Sequence, residues 1–432
     1  MSEVREPDRL PRADAGEGVR ARVASGRGGF VEILHHARAD LLDSLEEGAG
    51  PDDPRVREAL ARLPDQVDAA LADHRHRQRR WPSRTDGERL TRAFRALDES
   101  GIIAREDFTC CDTCGRAALD AELGVRNSEP GGAATRGYAF YHHGESLAAA
   151  DGGSLYVGFE SSHPVRLAAV GEEVAEVLRA HGLTVEWDGD SGRKLRVRAD
   201  WSHRRWDRQA AFAGPAADGE PMVTVGIGSP GPYAVPPWIT RYEGRVAVRE
   251  FARMVLPWMP GGFVATLRSD HGDSAEITRD FDLLRVAGGP ALSRERAEEP
   301  LGRWAVGAAW PGEDAHPSPS GLLEVTYADT AEEGAGYVDY AEPMRTAAAR
   351  HLVYRLTPVK GTFAVFASRG EGVVQMMWEP GPRLWMESPS PEESLARGRH
   401  VSLPEAEEMV RVLGDEGRVA LADLGGLRVT RW

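Results

Sequence analysis

Apolar residues recur every three or four positions up to Gly101 and then gather into short aromatic and β-branched runs, so the chain reads as helices followed by sheet-rich structure. Phe30, Ile33, Leu34, Ala37, Leu41, Leu42 and Leu45 make one stripe, which predicts an amphipathic helix over 30–47. Past Pro51 and Pro54, the positions Val56, Leu60, Leu63, Val67 and Leu71 predict a second helix. A kink is expected at Pro64, whose ring has no N–H for the helical ladder. Thr85 with Glu88 forms the reciprocal capping pattern that opens a third helix through Leu90, Phe94 and Leu97, and Gly101 stops it.

From Ile102 onward the pattern predicts strands at 138–141 and 155–159, a helix over 167–181 ended by Gly182, and a hairpin of 184–187 with 195–197 around an Asp-Gly-rich turn. Dense Gly and Pro punctuation over 201–240 reads as a linker with one short strand at 223–227. A helix over 246–256, a strand at 262–267 and an apolar segment at 281–286 follow, then a Pro- and Gly-rich break at 311–321. Strands are expected at 323–327, 362–367, 373–378 and 384–387, then a helix over 404–413 with its N-cap at Ser402 or Leu403, and short closing strands near Val419 and 427–430. The expected class is α+β: N-terminal helices, a mixed α/β cysteine-containing domain, and a C-terminal antiparallel sheet with helices on one face. The expected division is a flexible 1–29, a domain over 30–200, the linker, and a C-terminal domain over 241–432 that divides near 311–321.

Composition narrows the function classes. A chain of 432 residues with 41% apolar and 28% charged content is large enough to bury its own cores. A formal charge of -15 argues against bulk attraction to nucleic acid or anionic lipid. The first 29 residues have no apolar core, so neither a signal peptide nor a membrane anchor is expected, and no apolar run reaches spanning length. Three cysteines crowded into one segment suit reduced thiols in a cytoplasm. Only Lys194 and Lys360 are lysines, a bias of the kind a GC-rich bacterial genome produces.

The densest chemical signal is Phe108-Thr109-Cys110-Cys111-Asp112-Thr113-Cys114-Gly115. Thiolates are preferred zinc ligands, and Cys111-x-x-Cys114 has the spacing of one zinc knuckle. Cys110 adds a third sulfur. His142, His143 or the more distant His163 supplies a fourth ligand, and alternation along a strand would let only one of the adjacent pair face the cysteines. The expected metal set is Cys110, Cys111, Cys114 and His142, holding zinc. Three readings compete: a redox pair whose thiolate is favoured by a following helix at 117–123, a nucleophilic cysteine with His142 as base and Glu145 as orienter, and inert thiols.

Other features stay with structural roles. The basic run from His74 to Trp81 suits a solvated helix end, where the dipole favours cations. The segment Trp201-Ser202-His203-Arg204-Arg205-Trp206 mixes aromatic and basic residues in an otherwise acidic chain, and Gly226-x-Gly228 lacks the third glycine of a dinucleotide loop. Met376, Met377, Trp378, Trp385 and Met386 read as sheet core, with any exposed subset marking a partner surface.

Phe108 to Gly115, Gly137 to His142, Leu155 to Phe159 and Gly182 to Gly189 together resemble an uncharacterised actinobacterial family, domain of unknown function 6891, over roughly 25–205. That resemblance implies a domain boundary and no activity. The pattern of Val373 to Trp378, Leu384 to Glu387 and Ser402 to Leu413 is similar to the immunity proteins of bacterial polymorphic toxin systems, which implies a small α+β fold with an acidic plugging face. The functional expectation is a non-enzymatic cytoplasmic binding protein with a zinc site. The alternatives are an immunity or antitoxin-like protein gripping an effector through its acidic C-terminal domain, and a thiol-dependent enzyme using Cys111 or Cys114.

Overall fold

The computed structural model describes residues 15–44, 53–128, 135–228, 243–287, 289–310, 315–317, 320–331 and 337–431. The end of the first expected helix, most of the Pro-rich stretch of the linker and part of the 311–321 break lie outside these residues.

Three helices open the described chain: α1 (Ala15–Ala24), α2 (Phe30–Asp43) and α3 (Pro54–Gln78). They pack through Val19, Val23, Ile33, Ala37, Leu63, Val67 and Leu71. Of the stretch 1–29 expected to be flexible, 1–14 lie outside the described residues, whereas Val19 and Val23 stand one turn apart and are both buried, enough for α1 to dock. Pro64 sits within α3, which runs on through it to Gln78. The fourth helix, α4 (Asp86–Ser100), has the expected reciprocal cap between Thr85 and Glu88 and ends on Gly101 at φ +89°.

A five-stranded sheet follows, in the order β1 (Ile102–Arg105), β2 (Gly137–Phe140), β3 (Leu155–Ser161), β5 (Leu195–Arg198), β4 (Thr184–Glu186). Only β1 and β2 run parallel. Strand alternation splits its residues between two layers. Ile102, Ala104 and Ala139 face α4 and α7 (Leu167–Ala180). Ile103, Tyr138 and Phe140 face Leu119 of α5 (Asp112–Ser128) on the other side. The helix α6 (His143–Ala150) lies between β2 and β3.

A six-stranded antiparallel sheet runs β11 (Ala291–Ser293), β10 (Leu283–Val286), β9 (Ser274–Asp280), β8 (Val264–Ser269), β6 (Met222–Ile227), β7 (Glu243–Ala247). The strand expected inside the linker is thus an internal strand of this sheet. Helix is found only from Val248, and it passes through a π turn at Phe251–Val255, because 243–247 pairs with β6 instead. α8 (Glu298–Ala305) closes this core through Leu301 and Trp304.

The last sheet has seven antiparallel strands in the order β13 (Tyr337–Arg345), β12 (Leu322–Ala328), β14 (Phe363–Ser368), β15 (Val373–Glu379), β16 (Arg383–Ser390), β17 (Leu395–Val401), β18 (Arg428–Arg431). Its buried face, with Phe366, Met376, Trp378 and Met386, packs on α9 (Thr346–Arg355) and α10 (Leu403–Glu416). Ser402 caps α10 reciprocally with Glu405. Val419 lies in no strand. The architecture is α+β as expected.

The N-terminal half docks on this last layer. Arg92 of α4 pairs with Glu407 of α10 at 2.8 Å and its guanidinium lies 3.8 Å over the Tyr354 ring of α9. Arg208 pairs with Glu342 at 2.9 Å. Among the described residues no helix is long and apolar enough to cross a membrane.

Candidate metal centre

Cys114 stands in the first turn of α5 itself, and Cys110 and Cys111 lie in the turn between β1 and α5. Two residues of that turn, Asp107 at φ 49° and Thr109 at φ 62°, adopt the left-handed region, so the chain folds back on itself within a few residues. The turn is zipped to the segment after β2: the Phe108 N–H donates to the Tyr141 carbonyl at 2.9 Å, and the His143 N–H donates to the Thr109 carbonyl at 3.1 Å. The Cys111 carbonyl accepts the Gly115 N–H at 3.0 Å, the first bond of α5, which makes Cys111 its N-cap. Gly115 permits the helix to sit this close to the sheet, since a Cβ there would come 2.3 Å from the Phe140 ring.

Consequently Cys110, Cys111 and Cys114 converge, with all three sulfurs within 4.8 Å of one another. Cys110 and Cys114 are exposed, and Cys111 is half-buried. Sulfurs around a tetrahedral zinc ion lie roughly 3.8 Å apart, so the spacing accepts such an ion with small side-chain rotations. The helix N-terminus adds a positive partial charge that favours thiolates. The Cys114 main-chain N–H, followed by the Cys114 and Cys110 thiols, donates to the Cys111 sulfur and pulls its pKa down. The converse holds for Cys114, whose hydrogen bond to the Cys111 sulfur, with a further push from Cys110, raises it to about 11.

Charged side chains frame the cluster. Asp112 meets Lys194 at 2.9 Å and Arg116 at 3.0 Å, and Lys194 also reaches Glu145 at 3.3 Å. Behind the turn, burial works to raise the Asp107 carboxyl, but its hydrogen bond with His143, the Arg27 charge and the Ser146 hydroxyl outweigh this and hold it at about 2. Asp107 Oδ1 lies 2.7 Å from His143 Nδ1 and accepts the Ser146 hydroxyl at 2.6 Å.

His142 and His143 do not lie on a strand. His142 is the N-cap of α6, where its Nδ1 accepts the Gly144 N–H at 3.1 Å, and His143 is the first residue of that helix. The alternation argument therefore does not apply to them. The group of ligand atoms within 4.8 Å contains the three sulfurs and no histidine. Asp107, Ser146 and Lys194 belong to no motif in the sequence. The Asp107 contacts depend on a left-handed turn that no motif announces, and the helix that moves both histidines starts on His142, outside the usual Ser, Thr, Asp or Asn caps, with only Glu145 in its first turn as a start signal.

Residues 8–205 match the model of a family described as Domain of unknown function (DUF6891), which places the cysteine turn, both histidines and the five-stranded sheet inside the matched segment. No curated protein matches the chain, and no solved structure matches it.

Proposed function

On the premise that residues 8–205 carry this domain of unknown function, we propose that the chain is a non-enzymatic cytoplasmic protein that binds zinc through Cys110, Cys111 and Cys114. The observation that carries this is the convergence of three sulfurs within 4.8 Å at a helix N-terminus. Three thiolates packed this closely repel one another, and a divalent ion relieves that repulsion while replacing their protons. The ion would tie the β1–α5 turn to α5, a reinforcement of one surface turn in a domain that already has its own core. Domain division follows the same reading, with a zinc-bearing unit ending near Asp200 and a C-terminal unit that receives it.

The test is metal content. The full chain, purified without chelator, should carry one zinc per chain, and its thiols should react with a chromogenic disulfide only after chelation. Cys111→Ser and Cys114→Ser should each lose the metal. Zinc-free protein with three freely titrated thiols overturns the proposal.

Two other readings have their own supporting observations. Thiol chemistry is favoured by the opposite pKa shifts of Cys111 and Cys114. It would gain from a zinc-free protein whose Cys111 alone reacts fast. An effector-binding C-terminal unit is favoured by the open face of the last sheet, where Met377 stays 43% exposed beside the paired Trp385. Co-expression with neighbouring toxin-like genes should then rescue growth, and Met377→Glu should abolish the rescue. Failure with every neighbour removes that reading.

A further inference from the structure

We infer that the fourth ligand of the proposed zinc ion is the Nε2 atom of His143, oriented by Asp107, and that His142 is not a ligand. This rests on the three-cysteine reading above and adds to it the atom that would complete a four-coordinate set.

An imidazole binds a metal through a nitrogen that carries a lone pair and no proton, and its other nitrogen donates to a fixed acceptor. His142 fails on both nitrogens. Its Nδ1 lone pair is already taken by the Gly144 N–H at 3.1 Å. A neutral ring that accepts at Nδ1 holds its proton at Nε2, and that atom faces Glu145 at 3.7 Å. Turning His142 toward the sulfurs would also strip the N-cap from α6.

His143 has the opposite arrangement. Its Nδ1 lies 2.7 Å from Asp107 Oδ1. The carboxylate cannot donate, so the ring does, and Nε2 is left as the acceptor. No hydrogen bond to His143 Nε2 is found among the described residues, and the side chain is 45% exposed. Asp107 is itself fixed, by the Ser146 hydroxyl and by the Arg27 guanidinium. A carboxylate held on its far side, a histidine in the middle and an open Nε2 is the outer-shell pattern of zinc-bound histidines.

Proximity supports the assignment. The His143 main chain is hydrogen-bonded to Thr109, the residue before Cys110. The ring stands outside the 4.8 Å group of sulfurs, and the remaining gap falls to the side chains of the exposed Cys110 and the half-exposed His143.

Cobalt(II) reports ligand identity by its visible ligand-field bands, so the experiment titrates Co(II) into the full-length wild type and the His143→Ala, His142→Ala and Asp107→Asn variants after chelation. Zinc affinity is then measured by competition, and folding is checked by circular dichroism. The wild type should give the intense bands of a tetrahedral three-sulfur, one-nitrogen site. His143→Ala should shift those bands and weaken zinc binding on the order of 100-fold, with the wild-type spectrum restored by added imidazole. Asp107→Asn should keep the band positions and weaken zinc binding by roughly 10-fold to 100-fold. His142→Ala should leave the spectrum unchanged. An unaltered spectrum in folded His143→Ala, or the altered spectrum appearing in His142→Ala instead, overturns the inference and leaves the three-cysteine site standing. A wild type that takes up no Co(II) overturns both.

Discussion

At the residue scale the cysteine turn sets an order of reactivity. Donation from the Cys114 N–H lowers the Cys111 thiol, and the reciprocal hydrogen bond raises Cys114 to about 11. In chelated protein, iodoacetamide should therefore alkylate Cys111 at a lower pH than a free thiol and Cys114 last, read by peptide mass spectrometry across a pH series. Earlier labelling of Cys114 would contradict the described hydrogen bonds. Gly115 is the second residue on which the turn depends. Its missing side chain allows α5 to lie on Phe140, and an alanine Cβ at 2.3 Å from a buried ring forces the helix away. Gly115→Ala should cost about 1–3 kcal/mol in urea denaturation and weaken metal uptake together with it. A variant that keeps wild-type stability would show that α5 can lift without loss.

At the element scale the helices were the easier part to read. Thr85 with Glu88, and Ser402 with Glu405, are reciprocal caps that the sequence announces and the structure contains. Pro64 is the exception. Its ring withholds the N–H that would meet the Leu60 carbonyl, yet α3 continues to Gln78 because Leu63, Val67 and Leu71 on one face are buried against α1 and α2. Pro64→Ala should consequently stabilise the protein by about 1 kcal/mol or more, seen as a higher denaturation midpoint, provided the new N–H closes the ladder. A drop would mean that the ring itself is packed. Strands were harder, because short ones carry little periodicity. β9, β11, β13 and β17 had no clear signal, and 243–247 alternates too briefly to be separated from the helical run after it.

At the scale of the whole molecule, burial of bases ties stability to pH. Burial lowers the imidazole pKa of His74 to about 3, of His203 to about 4 and of His351 to about 3, with nearby arginines pushing the same way. The unfolded chain takes up these protons below the ordinary 6.5 and the folded chain does not. Their contribution is thus complete above pH 6.5 and is lost as the pH falls toward 4 for His203 and toward 3 for His74 and His351, by up to about 1.4 kcal/mol per pH unit for each ring. Asp68, raised to about 6 by burial, works in the opposite sense below that pH, so the useful quantity is a difference. Between pH 7 and 5, the urea midpoint of His74→Gln should fall less than that of the wild type. An equal fall would show that His74 is protonated in the fold.

Local patterning was enough for the α+β class, the capped helices and the fact that three sulfurs stand together, because each depends on residues within one or two turns of chain. The tertiary structure decided the rest. Pairing with β6 turned 243–247 into strand, and a left-handed turn brought Asp107 under His143 across 36 residues of sequence. Which histidine has a free lone pair was decided by hydrogen bonds to Gly144 and Asp107, partners that only folding brings to the rings. Spacing along a chain limits which residues can meet, but ligand geometry needs directions, and directions come from the packing of α5 and α6 on a common sheet.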